Sequence, residues 1–115
     1  MTTDFSSDRQ LVREGVGLVE LSGEVDIYTA PRFKEDLLAL IDEGARTIVV
    51  DLTKVDFIDS TALGVLIGGV KRLHPRDGRL VLVANSRPVQ KILAITGLDK
   101  VFTIVPTRDE ALASL

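Results

Sequence analysis

Two aspartates and two hydroxyls stand close together at Asp56, Asp59, Ser60 and Thr61, directly before a run of small and apolar residues, Ala62-Leu63-Gly64-Val65-Leu66. A hydroxyl at a helix start is suited to carrying a phosphate, since free backbone N–H groups and the helix dipole favour an anion there. The plainer use of the same residues is capping, with Ser60 as the N-cap and Asp59 complementing the dipole. Taken residue by residue, capping is the expectation for Ser60, and a first-turn or buried hydroxyl for Thr61. Catalysis finds no comparable constellation. The chain has no cysteine, and His74 is its one histidine. No serine has a histidine nearby in sequence to act as base, and there is no G-x-S-x-G or G-x-G-x-x-G. Gly64 to Lys71 reads G-V-L-I-G-G-V-K, which misses a phosphate-binding loop because the lysine does not directly follow the glycine. No ligand cluster surrounds His74, so neither a metal site nor a cofactor is expected and no residue is assigned a catalytic role.

Asp51 offers a second phosphate chemistry. It follows the apolar run Ile48-Val49-Val50 and is read as the carboxyl end of a buried strand, where an aspartate could accept a phosphoryl group as in a receiver domain. Against this, the first strand has no acidic pair after it and Lys100 is not followed by proline. Gly64 and Gly68 lie four apart on one helical face, and close packing against the sheet is the expectation for them.

Positioning these residues requires strands that alternate with helices. Residues 1–8 read as a loose N-terminal tail, and residues 9–115 as one domain. Leu11–Arg13 and Val16–Ser22 flank Glu14-Gly15 as a hairpin, and Gly23–Asp26 reads as a loop. A helix opens at Thr29 or Ala30 with Pro31 in its first turn, carries Phe33, Leu37, Leu40 and Ile41 at helical spacing, and stops at Gly44. The strand at Thr47–Leu52 is followed, after Thr53–Asp59, by a helix over about Ser60–Leu73, so apolar that it is expected to be largely buried. Leu80–Val83 is a further buried strand, Ser86 and Pro88 open a helix that Gly97 closes, and Phe102–Val105 is the last strand. Thr107 and Glu110 have capping-box spacing at a short C-terminal helix. The order β-β-α-β-α-β-α-β-α makes the fold class α/β: a single domain with a mixed, mostly parallel sheet, an N-terminal hairpin and about four helices.

At 115 residues the chain is the size of one domain. Its composition, 45% hydrophobic and 27% charged, is that of a chain that folds throughout. A formal net charge of −3 argues against a chain-wide footprint for nucleic acid or an anionic membrane. The charge is uneven, because Lys71, Arg72, Arg76, Arg79, Arg87 and Lys91 face only Asp77 within that stretch. A solvated surface is the plainer reading of the basic segment, a docking face the sharper one. No apolar run reaches the roughly 18–20 residues of a membrane span and the polar start has no secretory core, so a cytoplasmic location is expected.

The stretch Val49–Leu66, V-V-D-L-T-K-V-D-F-I-D-S-T-A-L-G-V-L, resembles the signature of the STAS domain, in particular the stand-alone anti-sigma factor antagonists of bacteria. Leu21–Ala30, L-S-G-E-V-D-I-Y-T-A, is similar to the first-loop motif of that family. The resemblance runs from about Val16 to the end, with one departure, Ala62 where members commonly carry glycine. It implies that Ser60 is the residue phosphorylated by a kinase that is also an anti-sigma factor, with Thr61 as the alternative acceptor. It further implies a partner-binding set of Glu24, Asp26, Asp59, Ser60, Thr61 and Gly64, and a metal-dependent serine phosphatase that resets the switch. The protein would then be no enzyme: unphosphorylated, it would bind the kinase and release a sigma factor. The alternative uses of the same resemblance are a scaffold subunit of a larger signalling assembly and a transporter module.

Overall fold

A computed structural model describes residues 4–115. The chain opens as a hairpin of β1 (Ser6–Arg13) and β2 (Val16–Val25). It continues through α1 (Ala30–Asp42), β3 (Thr47–Ile58), α2 (Ser60–Leu73), β4 (Arg79–Val83), α3 (Arg87–Ile95), β5 (Thr103–Val105) and α4 (Arg108–Ala113). The five strands form one sheet in the order β1-β2-β3-β4-β5, antiparallel at the hairpin and parallel from β2 onward. Neighbours in sequence are neighbours in the sheet, so α1, α2 and α3 are each a crossover between adjacent parallel strands, and α4 follows the last strand.

Alternation along the strands divides the core in two. Val19, Leu21, Ile48, Val50, Leu80 and Leu82 face α1, α2 and α3, which supply Phe33, Leu37, Leu40, Leu63, Leu66 and Leu93. Leu18, Val49, Val81 and Val83 face the other way, under Ala111 and Leu112 of α4. This is why the Ile48-Val49-Val50 run is uninterrupted: both faces of β3 are covered there. At the end of α1, Gly44 takes φ +96, and the N–H groups of Gly44 and Ala45 donate to the carbonyls of Ile41 and Leu40. These paired bonds stop the helix where the glycine was expected to stop it. The Thr107 hydroxyl likewise caps α4, accepting from the Glu110 N–H at 3.1 Å.

Several boundaries differ from the sequence reading, most of them in the direction of longer strands. β1 begins at Ser6, so Ser6–Asp8, read as tail, are strand; residues 1–3 of that tail lie outside the described residues. Buried Ser7 explains the extension, because its hydroxyl donates to the carboxylate of Asp36, itself 2% exposed, and Arg9 also bonds Asp36 at 2.6 Å. Asp36 is therefore a tie between α1 and β1. Gly23, Glu24 and Val25 belong to β2 rather than to a loop. Gly23 sits at φ +83, and a β-carbon there would stand 2.7 Å from the Asp4 carbonyl oxygen, so only glycine lets β2 pass the segment that leads into β1. β3 runs on to Ile58 beside β2, through register shifts after Glu20 and Gly23, which places Asp51 in mid-strand and not at its carboxyl end. The last strand starts one residue later than expected, at Thr103.

Candidate functional site

β2 and β3 end together. Val25 pairs with Ile58, and the Asp59 N–H donates to the Val25 carbonyl at 3.2 Å. The segment after β2 and the start of α2 are thus adjacent, and Glu24, Asp26, Asp59, Ser60 and Thr61 gather at one end of the sheet. The first of these segments is held by its own side chains. The Asp26 carboxylate accepts from the N–H groups of Tyr28 (2.9 Å) and Thr29 (3.1 Å), while the Thr29 hydroxyl accepts from the Asp26 N–H and donates to the Glu24 carbonyl. This local turn leaves Glu24 exposed and presents Ile27 and Tyr28 to solvent, 62% and 88% exposed.

At α2 the structure reassigns the cap. Asp59, with extended backbone, is the N-cap, and its carboxylate accepts from the N–H groups of Thr61 (2.9 Å) and Ala62 (3.1 Å). Ser60, expected to be the cap, is the first helical residue. It is exposed, and its hydroxyl makes no hydrogen bond among the described residues. The reason is the length of β3: the strand runs to Ile58, so the extended-to-helical change falls on Asp59, whose charged oxygen also complements the dipole better than a hydroxyl. Thr61 is exposed beside it in the first turn, while Ala62, 2% exposed, packs into the core in ordinary helical backbone.

Gly64 and Gly68 are not the tightly packed positions expected of them. A β-carbon at either would meet nothing within 4 Å. The close contact is at Gly69, where a β-carbon would lie 2.8 Å from Leu37 Cδ2 and 3.2 Å from Leu80 Cδ1. α2 is accordingly buried on one face only, through Ala62, Leu63, Leu66, Gly69 and Leu73, rather than nearly all round. Its glycine face forms, with Pro31, Lys34 and Leu38 of α1, a groove of about 430 Å³ that begins at Thr61. Gly64→Ala is therefore expected to raise stability, by up to about 1 kcal/mol from helix propensity. Gly69→Val should lower it by about 1–3 kcal/mol through overpacking. Urea unfolding midpoints distinguish the two; a loss at Gly64 equal to that at Gly69 would show that the groove face is packed after all.

Asp51, the other candidate phosphate acceptor, lies on the opposite face of the sheet and is already engaged. It is 4% exposed, accepts from the N–H and hydroxyl of Thr53 at 2.9 and 2.7 Å, and bonds Arg108 of α4 at 2.8 Å; Arg108 also pairs with Glu20. Burial alone would raise its pKa, but the Thr53 and Arg108 hydrogen bonds outweigh it and hold the carboxyl below its ordinary value. Such a carboxylate is a structural anchor for α4, and the receiver reading fails on its position. The basic segment from Lys71 to Lys91 is likewise divided. Arg76 bonds the Ile41 carbonyl and Arg79 the Ser114 carbonyl, whereas Arg87 and Lys91 belong to α3. Sequence reasoning missed Ile27, Tyr28 and Phe57 as surface groups; apolar residues bordering short polar stretches were the available signal.

The STAS-domain family model matches residues 10–111. Over 80 residues, 70% of this chain and 74% of the relative, the chain is 38% identical to the anti-sigma-B factor antagonist of Staphylococcus aureus. It is 36% identical over the same coverage to that of Staphylococcus epidermidis. Among solved structures, an anti-sigma factor antagonist from Mycobacterium paratuberculosis superposes with a TM-score of 0.87 at 31% identity, covering 96% of this chain and 93% of that one. With the hairpin, the parallel crossovers and the Asp59-Ser60 helix start all in place, the chain belongs to the STAS-domain family.

Proposed function

We propose that this protein is an anti-sigma factor antagonist whose binding is switched at Ser60. In its unphosphorylated form it binds a serine kinase that is also an anti-sigma factor, in the cytoplasm, and so releases a sigma factor. Phosphorylation of Ser60 ends the binding, and a serine phosphatase of the metal-dependent type restores it. The chain itself catalyses no step. The observation that carries this reading is the division of labour at the start of α2: Asp59 does the capping, which leaves the exposed Ser60 hydroxyl free of structural duty. The two staphylococcal relatives matched over 74% of their length support the same reading, since both are anti-sigma-B factor antagonists.

The physical effect of the switch follows from charge. A phosphate adds about −1.5 to −2 units, directly beside the Asp59 carboxylate and at the same end of the sheet as Glu24 and Asp26. The helix dipole tolerates the phosphate in the free protein. A partner surface that closes over this end must desolvate it among carboxylates, and that weakens the complex. The test is a competition. A purified complex of the cognate kinase–anti-sigma factor with its sigma factor is titrated with this chain, before and after phosphorylation by the same kinase. The unphosphorylated chain is expected to displace the sigma factor and the phosphorylated chain is not; a sigma factor that stays bound at saturating unphosphorylated chain refutes the reading.

A further inference from the structure

Beyond the Ser60 end itself, an apolar groove lies at the far edge of β3, without an internal partner among the described residues. β4 ends at Val83, opposite Asp51, so the seven residues of β3 from Leu52 to Ile58 run past it with no strand on that side among the described residues. α3 lies along this overhang. Between them is a groove of about 440 Å³ lined by Phe57, Ile58, Pro88, Lys91, Ile92 and Ile95. Phe57 is 49% and Ile95 72% exposed, an unusual state for large apolar side chains that flank a common hollow. Neither is needed by the core, which α3 reaches through Val89 and Leu93.

We infer that this groove is a second anchor for the kinase–anti-sigma factor, which fills it with an apolar segment flanked by acidic side chains. The inference rests on the functional reading above, and three features of the groove support it. First, the groove is continuous with the proposed contact face: Ile58, in its lining, is followed immediately by the Asp59 cap and by Ser60. A partner large enough to cover Ser60 lies within reach of it. Second, the charge on the α3 wall of the groove is of one sign. Lys91 is the charged residue in the lining, α3 carries Arg87 as well, and no residue of α3 is acidic. The other side of Ser60 is the reverse, with exposed Ile27 and Tyr28 accompanied by Glu24 and Asp26. The two apolar patches astride Ser60 thus differ in sign, which fixes the orientation of a partner as well as its affinity. Third, an apolar anchor set beside a phosphate switch separates tasks: the groove supplies affinity by burial, and the Ser60 end decides whether the complex closes.

The test uses the kinase–anti-sigma factor that phosphorylates the wild-type chain, with Ile95→Ser and Lys91→Glu as variants and Phe57→Ser as an independent third. Ile95 is mostly exposed, so its variant is expected to keep the wild-type melting temperature. Kd for the kinase should rise about tenfold in Ile95→Ser and in Lys91→Glu. In phosphoryl transfer to Ser60, KM should rise with kcat unchanged, because the acceptor is untouched. Wild-type Kd and KM in the folded variants would overturn the groove as an anchor while leaving the Ser60 reading intact. A wild-type chain that neither binds nor is phosphorylated overturns the functional reading, and this inference with it. Concentration-dependent dimerisation of wild type that Ile95→Ser abolishes, seen by sedimentation, would assign the groove to a second copy of this chain and overturn the inference equally.

Discussion

Ser60→Ala is expected to take up no phosphate from the kinase and ATP, while unfolding at the wild-type urea midpoint. The second half of that outcome comes from the structure and differs from what a capping serine would give. Were Ser60 the N-cap, its replacement by alanine would cost about 0.5–2 kcal/mol. Instead the Thr61 and Ala62 N–H groups are held by Asp59, and Ser60 occupies the first helical position with its side chain in solvent. An exposed substitution of this kind falls within about 0.5 kcal/mol of wild type. The capping loss should appear in Asp59→Ala, at about 1 kcal/mol. Ser60→Asp adds a carboxylate next to Asp59; it should fold, because the helix start favours the charge, and bind the kinase more weakly than Ser60→Ala does. Intact mass of wild type and Ser60→Ala after incubation with kinase decides the acceptor. Equal phosphate in both would remove Ser60 from that role and assign it to Thr61, which is exposed one residue further on.

The elements were legible because their signals are local. Pro31 and Gly44 bracket α1, and the buried runs at Ile48–Val50 and Leu80–Val83 mark strands covered on both faces. What was not legible depends on which neighbour a residue meets. Asp59 and Ser60 are both good caps, and only the extension of β3 to Ile58 selects the first. That extension is itself non-local: Thr53–Phe57 looks like a polar connection until β2 pairs with it through two register shifts. The glycines of α2 show the same limit. Gly64 and Gly68 share a face by spacing, but spacing does not say which face the sheet takes. Leu66, Gly69 and Leu73 continue the buried stripe at helical intervals, and following it would have identified Gly69 as the packed glycine. Asp51 was misread for a related reason, since its carboxylate is stabilised by Arg108, far away in sequence, just as Asp36 is by Ser7 and Arg9.

The Asp51 anchor makes stability depend on pH in a definite direction. Buried at the sheet and bonded by Thr53 and Arg108, its carboxyl titrates below its ordinary value in the folded protein, whereas in the unfolded chain it returns to about 3.9. The folded state therefore binds the proton less readily. Its contribution to stability is complete above the unfolded value and is lost as pH falls through the folded one. Asp51→Asn removes that titration and weakens the tie to α4, leaving Arg108 with Glu20 alone. The variant is expected to lose about 1–3 kcal/mol at pH 7, the cost of breaking a charged, largely buried hydrogen-bond set. Part of that loss should vanish on acidification, because wild type forfeits the ionised anchor below about pH 4 and the variant has none to forfeit. Urea unfolding of both proteins at pH 7, 5, 4 and 3 measures the gap; a gap that stays constant across the series would mean the Asp51 carboxylate is not favoured by folding. Since Arg108 opens α4, Arg108→Ala should reproduce the pH 7 loss and expose the Leu18, Val49, Val81 and Val83 face of the sheet, with hydrogen exchange rising in α4 before it rises at Ser60 on the far side.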